Sequence, residues 1–200
     1  MTLFMAVSAQ SPKESDMYFG AIAGTKINSF DRHFVADVDP QLYSFSIGAG
    51  SAWTDGRYVV GVQFLYSSGT ASNSSGEIQY AGFENALSLG YNLSGNRRWS
   101  VEPNAGIVLS SNQLIVQDIE SGAFQNLTNN QAAAAFGLNV KLIDQNGLFT
   151  GIKIGYQLPF SGDTEWRNKV ADTGSGLKDN LGSFYVQLNV GGLLSLVRAR

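Results

Sequence analysis

The segment LFTGIKIGYQLPF, residues 148–160, holds the observation that separates the fold classes open to this chain. Apolar side chains recur there at every second position: Ile152, Ile154, Tyr156 and Leu158. This period of two predicts a β-strand with one apolar face. Lys153 lies on the other face, and a lysine ammonium in apolar surroundings is costly unless it is paired or hydrated. The direction in which Lys153 points therefore decides what kind of protein this is.

The same period recurs along the chain and predicts eight strands, at about 17–28, 41–53, 58–69, 77–93, 99–110, 131–143, 148–159 and 181–193. Three connections are tight turns with Gly, Asn and Asp: 54–57, 94–98 and 143–147. The others are longer and polar: 29–40, 70–76, 111–130 and 160–180. Tight turns then lie at one end of an up-and-down meander and long loops at the other. This layout is typical of outer-membrane barrels.

The two faces of the predicted strands differ in bulk. In 131–143 one face carries Phe136, Leu138, Val140 and Leu142, and the other carries Gly137, Asn139 and Lys141. The interior of an eight-stranded barrel only just accommodates side chains, so the bulky apolar set must face outward. Soluble monomers rarely expose such a surface. We therefore predict an all-β, eight-stranded antiparallel up-and-down transmembrane β-barrel, in which only the faces of strand 17–28 are mixed.

Aromatic residues near the strand ends support this prediction. Those next to the tight turns are Trp53, Tyr58, Tyr91, Trp99 and Phe149, and those towards the loops are Tyr66, Tyr80, Phe83 and Phe160. Aromatic rings favour the headgroup level of a bilayer, so these residues are expected to form two girdles.

The composition excludes several classes of site. Charged residues make up 14 % of the 200 residues, the formal net charge is −3, and no basic run indicates nucleic-acid binding. Because there is no cysteine and one histidine, disulfides, thiolate sites and a multi-histidine zinc site are excluded. We expect no metal and no cofactor.

The first residues, MTLFMAVSAQS, are apolar and end in Val7-Ser8-Ala9 before Gln10, a pattern similar to a signal-peptidase site. Residues 1–9 are therefore expected to be the remnant of a signal peptide, and 10–200 a single barrel domain. A buried first strand is the alternative reading of this run.

Together these features resemble the small eight-stranded outer-membrane proteins, the class of OmpX and the membrane domain of OmpA. A looser resemblance is to barrel domains described as porin-like or PorT-like. The resemblance to outer-membrane barrels covers roughly residues 17–193. It implies a monomer in the outer membrane of a Gram-negative bacterium, in contact with lipid and lipopolysaccharide. Such chains usually end in an aromatic residue, whereas this chain ends in Ser195-Leu196-Val197-Arg198-Ala199-Arg200.

The inward face is expected to hold an ion-pair cluster of Glu84, Glu102, Lys141 and Lys153, with Lys26 as a further candidate. Pairing across the turns places Lys153 opposite Gly137 and Glu102 opposite Gly90. Charges inside a membrane barrel must pair or meet water. We expect this cluster to plug the lumen, and a gated ion path through it is the alternative.

The loops offer two further candidate sites. His33 lies in the first long loop with Asp31 and Asp37 nearby, and a histidine with a serine and a carboxylate could form a lipid-modifying site for acyl transfer or deacylation. Loop 160–180 carries mixed charge around Trp166, predicted to be exposed, with Arg167 and Lys169 beside it, which suits contact with a protein or with lipopolysaccharide sugars.

The expected function is a structural or surface-interaction role without enzymatic activity, in which an extracellular or envelope protein is a further possible partner. A lipid-modifying enzyme and a soluble lipocalin-like barrel remain as alternatives.

Overall fold

The computed structural model describes residues 15–29, 41–94, 98–119, 122–160, 164–169, 173–179 and 181–196. They form ten strands: β1 Ser15–Ser29, β2 Gln41–Asp55, β3 Tyr58–Ser72, β4 Gly76–Tyr91, β5 Trp99–Asp118, β6 Phe124–Ile143, β7 Leu148–Pro159, β8 Thr164–Asn168, β9 Thr173–Asp179 and β10 Gly182–Leu196. Within these residues no helix is long and apolar enough to cross a bilayer. The expected signal-peptide remnant, 1–9, lies outside them.

Eight of the strands close into an antiparallel barrel. Strands β1 to β7 pair in sequence, β7 pairs with β10, and β10 returns to β1. The remaining hairpin, β8–β9, attaches to the upper part of β6, where Leu127 lies opposite Asn168. The predicted barrel is therefore confirmed, although two of the predicted loops contain strand: β5 and β6 continue through much of 111–130, and β8 and β9 lie within 160–180.

The stagger of the barrel follows from its pairing. A path through paired residues that leaves Tyr18 on β1 at Ala52 and passes once round the wall returns to β1 at Asn28, ten residues along. With eight strands this shear corresponds to a tilt of about 40°. A barrel of this geometry has a lumen that side chains can fill.

The outer face carries the apolar belt expected of a barrel in lipid. Aliphatic side chains lie exposed at mid-height: Leu87, Leu89, Leu138, Val140, Ile152, Ile154, Val186 and Leu188. Exposed aromatic rings flank them: Trp53, Tyr58, Tyr91 and Trp99 towards the tight turns, and Tyr43, Tyr66, Phe83 and Phe160 towards the loops. Such a belt is incompatible with the soluble lipocalin-like alternative.

Two of the predicted girdle residues face inward instead. Tyr80 and Phe149 are buried, because each lies on the inward parity of its strand. Phe149 packs edge-on against Tyr18, with ring centroids 5.5 Å apart. The mixed faces of β1 are also resolved: Tyr18, Ile22 and Lys26 point into the lumen, and Phe19 points out.

Two of the predicted tight turns, 54–57 and 143–147, lie wholly within the described residues, and their glycines take the backbone conformation that such turns require. Gly56 and Gly147 have φ of 63° and 80°, the left-handed region that glycine adopts without a steric penalty. In the second of these turns the Asp144 side chain accepts hydrogen bonds from the backbone N–H groups of Asn146 and Leu148, both 2.8 Å. We call this end of the barrel the turn end and the opposite end the loop end.

The wall is uneven in height at the loop end. β5 and β6 are 20 residues long, whereas β7 has 12. Because the turn-end termini of these strands lie close together, the extra length of the β5–β6 hairpin projects beyond the apolar belt. β8 and β9 extend the same sheet sideways, so a polar sheet stands above one side of the barrel.

Candidate functional site

The lumen holds a buried ion pair near the loop end. The Lys26 ammonium on β1 contacts the Glu84 carboxylate on β4, across the interior of the barrel. The second oxygen of Glu84 accepts a hydrogen bond of 3.0 Å from Gln157 Nε2 on β7. Both charged residues are almost fully buried. Three separate strands are therefore tied together around one carboxylate.

A second pair lies near the turn end. Lys141 Nζ on β6 is 2.9 Å from Glu102 Oε1 on β5. That oxygen also accepts a hydrogen bond of 2.8 Å from Ser100, and Asn139 Nδ2 donates to the other oxygen at 3.2 Å. The Lys141 ammonium lies 4.2 Å from the centre of the Tyr18 ring. Glu102 is therefore satisfied without a contribution from Lys153.

Lys153 lies between the two ion pairs, and its side chain points into the lumen. Its ammonium donates a 3.0 Å hydrogen bond to Gln63 Oε1 and lies 5.7 Å from the centre of the Tyr185 ring. Among the described residues it forms no ion pair. The expected cluster of Glu84, Glu102, Lys141 and Lys153 is therefore not a single network. The described lumen holds two separate ion pairs, Lys26–Glu84 and Lys141–Glu102, and Lys153 belongs to neither.

The opposite neighbours predicted for these charges are also corrected. Lys153 lies opposite Asn139 instead of Gly137, and Gly90 lies opposite Asn104 instead of Glu102. Each pairing differs by two residues, because the observed register of each hairpin is centred one residue further along the chain than the predicted pairing assumed. Parity is preserved by a shift of two, so every side chain keeps its face.

An apolar cluster lies at the loop end of the lumen. Its buried members come from four barrel strands, β8 and the residue before β10: Leu42, Ile78, Tyr80, Leu114, Val116, Leu127, Trp166 and Leu181. The prediction of an exposed Trp166 is therefore wrong, since this residue is 1 % exposed. The signal was present in the sequence: Trp166 alternates with Glu165 and Arg167, a strand pattern with one apolar position.

Two further predicted site residues lie on the loop side. Arg167 and Lys169 are exposed at the end of β8, and the backbone N–H of Lys169 donates to Asn126 O at 2.8 Å. Arg167 lines a polar cleft with Glu165, Thr128 and Asn130. His33, with Asp31 and Asp37, falls outside the described residues.

Structural comparison places this arrangement among known barrels. The structure is similar to Ail, the attachment invasion locus protein of Yersinia pestis, with a TM-score of 0.53 and 11 % identity over 91 % of this chain and 99 % of that one. It is also similar to Neisserial surface protein A, with a TM-score of 0.52 and 14 % identity over 87 % and 96 %. For OprG of Pseudomonas aeruginosa the values are 0.52 and 9 %, over 91 % and 96 %.

No protein-family model matches the sequence, and no curated protein matches it. At these identities the likeness shows the fold alone. The chain has the fold of the small eight-stranded outer-membrane barrels, as its strand pattern predicted.

Proposed function

We propose that this chain is an outer-membrane barrel of a Gram-negative bacterium, with a closed lumen and a structural or surface-interaction role. The exposed apolar belt and the fold shared with Ail, Neisserial surface protein A and OprG support the location. The observation that carries the closed lumen is the apolar cluster around Trp166, because apolar side chains packed across the mouth of a narrow barrel leave no hydrated path for ions.

Conductance tests the closed lumen. The protein, refolded into planar bilayers, is expected to show no steady ion current on the scale of a porin. Trp166→Ala should introduce a leak, because it removes the largest member of the loop-end cluster. Tyr43→Ala is the matched control, since it removes an aromatic ring from the outer face beside Leu42. Steady current steps from the unaltered protein would contradict the proposal.

The projecting sheet supports the surface-interaction half of the proposal. It projects beyond the apolar belt and presents the exposed cations Arg167 and Lys169, which in an outer leaflet would face the sugars and phosphates of lipopolysaccharide. Guanidinium and ammonium groups are suited to phosphate. Ail, whose fold this chain shares, has also been solved in complex with the heparin analogue sucrose octasulfate. We propose that Arg167 and Lys169 contact lipopolysaccharide, and that the barrel is a monomer.

Lipopolysaccharide binding tests this contact. Arg167→Gln with Lys169→Gln should weaken binding of lipopolysaccharide micelles to the refolded protein by roughly two- to fivefold per charge, the worth of an exposed ionic contact. Arg57→Gln is the control, because Arg57 is an exposed cation at the turn end. Equal weakening by the control would show that the effect is one of net charge.

The proposed role is non-enzymatic. The enzyme alternative rests on His33 alone, and no other observation favours it. In cells that express the protein, His33→Ala should leave lipid A unchanged. An acyl chain gained or lost in a His33-dependent way, read by mass spectrometry of lipid A, would make the enzyme the better reading.

A further inference from the structure

We propose that the turn-side half of the lumen binds a small protonated oxyanion, of the class of hydrogen phosphate or bicarbonate, on Lys153. This site is separate from the surface contacts and from the closure of the loop end.

The first support is an imbalance of charge. Between the two ends of the barrel the described lumen side chains include three lysines and two glutamates: Lys26, Lys141, Lys153, Glu84 and Glu102. The glutamates are already engaged, by Lys26 and by Lys141. Asp16 is a third carboxylate on the inward parity of β1, but it lies at the rim of the turn end and forms no ion pair with Lys153 among the described residues. Lys153 is 7 % exposed and is left as an uncompensated ammonium, which favours an anion beside it.

The second support is space. A cavity of about 80 Å³ lies against Lys153 in the turn-side half of the lumen. Its opposite wall is made by small residues on neighbouring strands, Gly50, Ala52 and Gly61. At ~30 Å³ per molecule the cavity would hold about two or three waters, which is close to the size of one central atom with three or four oxygens.

The third support is a pair of unused hydrogen-bond acceptors that line the same cavity. The amide oxygens of Asn139 and Asn189 are buried and receive no hydrogen bond from the described residues. Asn189 is 7 % exposed, so bulk water does not satisfy it. Such groups are costly unless a donor reaches them. A ligand for this site must therefore bring negative oxygens for Lys153 and an O–H group that donates to one of the two amide oxygens.

Hydrogen phosphate and bicarbonate meet both requirements, whereas sulfate and chloride carry no proton to donate at neutral pH. The charge-assisted contact to Lys153 supplies attraction, and the O–H group distinguishes the protonated anions. The apolar cluster blocks the loop end, so the turn end is the entrance, past the edge-on pair of Tyr18 and Phe149. The site is a dead end and not part of a pore.

Titration with inorganic phosphate tests the site. In alkyl maltoside micelles and phosphate-free buffer, calorimetry should show saturable binding, and the side-chain NMR signal of Lys153 should shift while that of Lys26 does not. Sulfate at equal ionic strength should bind at least ~tenfold more weakly, the worth of one hydrogen bond to a buried amide. Sulfate binding equal to phosphate would overturn the proposal.

Two site variants and one control variant distinguish loss of the binding site from loss of folding. Lys153→Met should abolish phosphate binding, whereas Arg57→Gln, which removes an exposed cation with no assigned role, should leave it intact. Ser88→Leu keeps every charge and fills the cavity that Ser88 lines, so it should also abolish binding. Phosphate binding retained in Lys153→Met or in Ser88→Leu, or no saturable binding by the unaltered protein, would refute the site.

Discussion

Lys26→Met should lower the free energy of unfolding by about 3–5 kcal/mol, the cost of breaking a buried ion pair from one side. The loss arises because Glu84 stays in the lumen, 1 % exposed, with one amide donor from Gln157 as its remaining described partner. Urea unfolding from lipid vesicles, read by a gel-mobility shift on heating, measures it.

A double-mutant cycle identifies the partner. Lys26→Met combined with Glu84→Gln should recover much of the loss, because no buried charge then remains uncompensated. Lys153→Met is the matched control: it removes a lysine that forms no ion pair within the described residues, so it should cost clearly less. If Lys26→Met costs no more than Lys153→Met, the lumen is hydrated enough to make the pair unimportant.

Leu138→Arg should lower the free energy of unfolding from lipid by about 2–4 kcal/mol, the penalty for a cation on the lipid face near the bilayer midplane. Leu138 is exposed on the outer face of β6, opposite Ile154 of β7 and within the apolar belt. The neighbouring outer-face side chains are apolar and cannot pair with a guanidinium. At this height the arginine side chain is too short to bring its charge to the headgroups and water.

The control for this variant lies on the neighbouring strand. Gln117→Arg places the same cation on the outer face of β5, beyond the belt and on the projecting sheet. A surface substitution of this kind should change stability by no more than about 0.5 kcal/mol. Equal damage from both variants would mean that the belt does not lie in lipid at the height of Leu138.

The sequence was sufficient for the faces of the strands but not for their ends. Alternation assigns each side chain to lipid or lumen wherever one face is bulky, as in β6 and β10. Above the belt the surroundings change from lipid to water, and the pattern inverts. In β5, Leu114 and Val116 point inward while Gln113 and Gln117 point outward. A rule that expects apolar residues outside therefore ends the strand too early.

The partners of the lumen charges could not be predicted for a different reason. Lys26 and Glu84 are on strands that are not neighbours, so their contact depends on the stagger of the whole barrel. An error of two residues at one turn moves each side chain along the axis by about 5 Å at this tilt. The sequence shows that Lys153 faces inward, but only the closed register shows that its nearest polar partner is Gln63.

The seam between β1 and β10 has a kinetic consequence. It joins Ser15–Ser29 to Gly182–Leu196 by fifteen residue pairs, so the last hydrogen-bonded ladder to form links the two ends of the described chain. Six of the eight barrel ladders join consecutive strands and can form from a hairpin or a short connection, and β7–β10 is interrupted by the β8–β9 hairpin. The β1–β10 ladder joins the first strand to the last, so its formation closes the longest stretch of chain. Until then β1 and β10 are open edges inside lipid, where unpaired backbone groups are not tolerated. Insertion and closure should therefore proceed together, in one slow concerted step without a stable half-barrel.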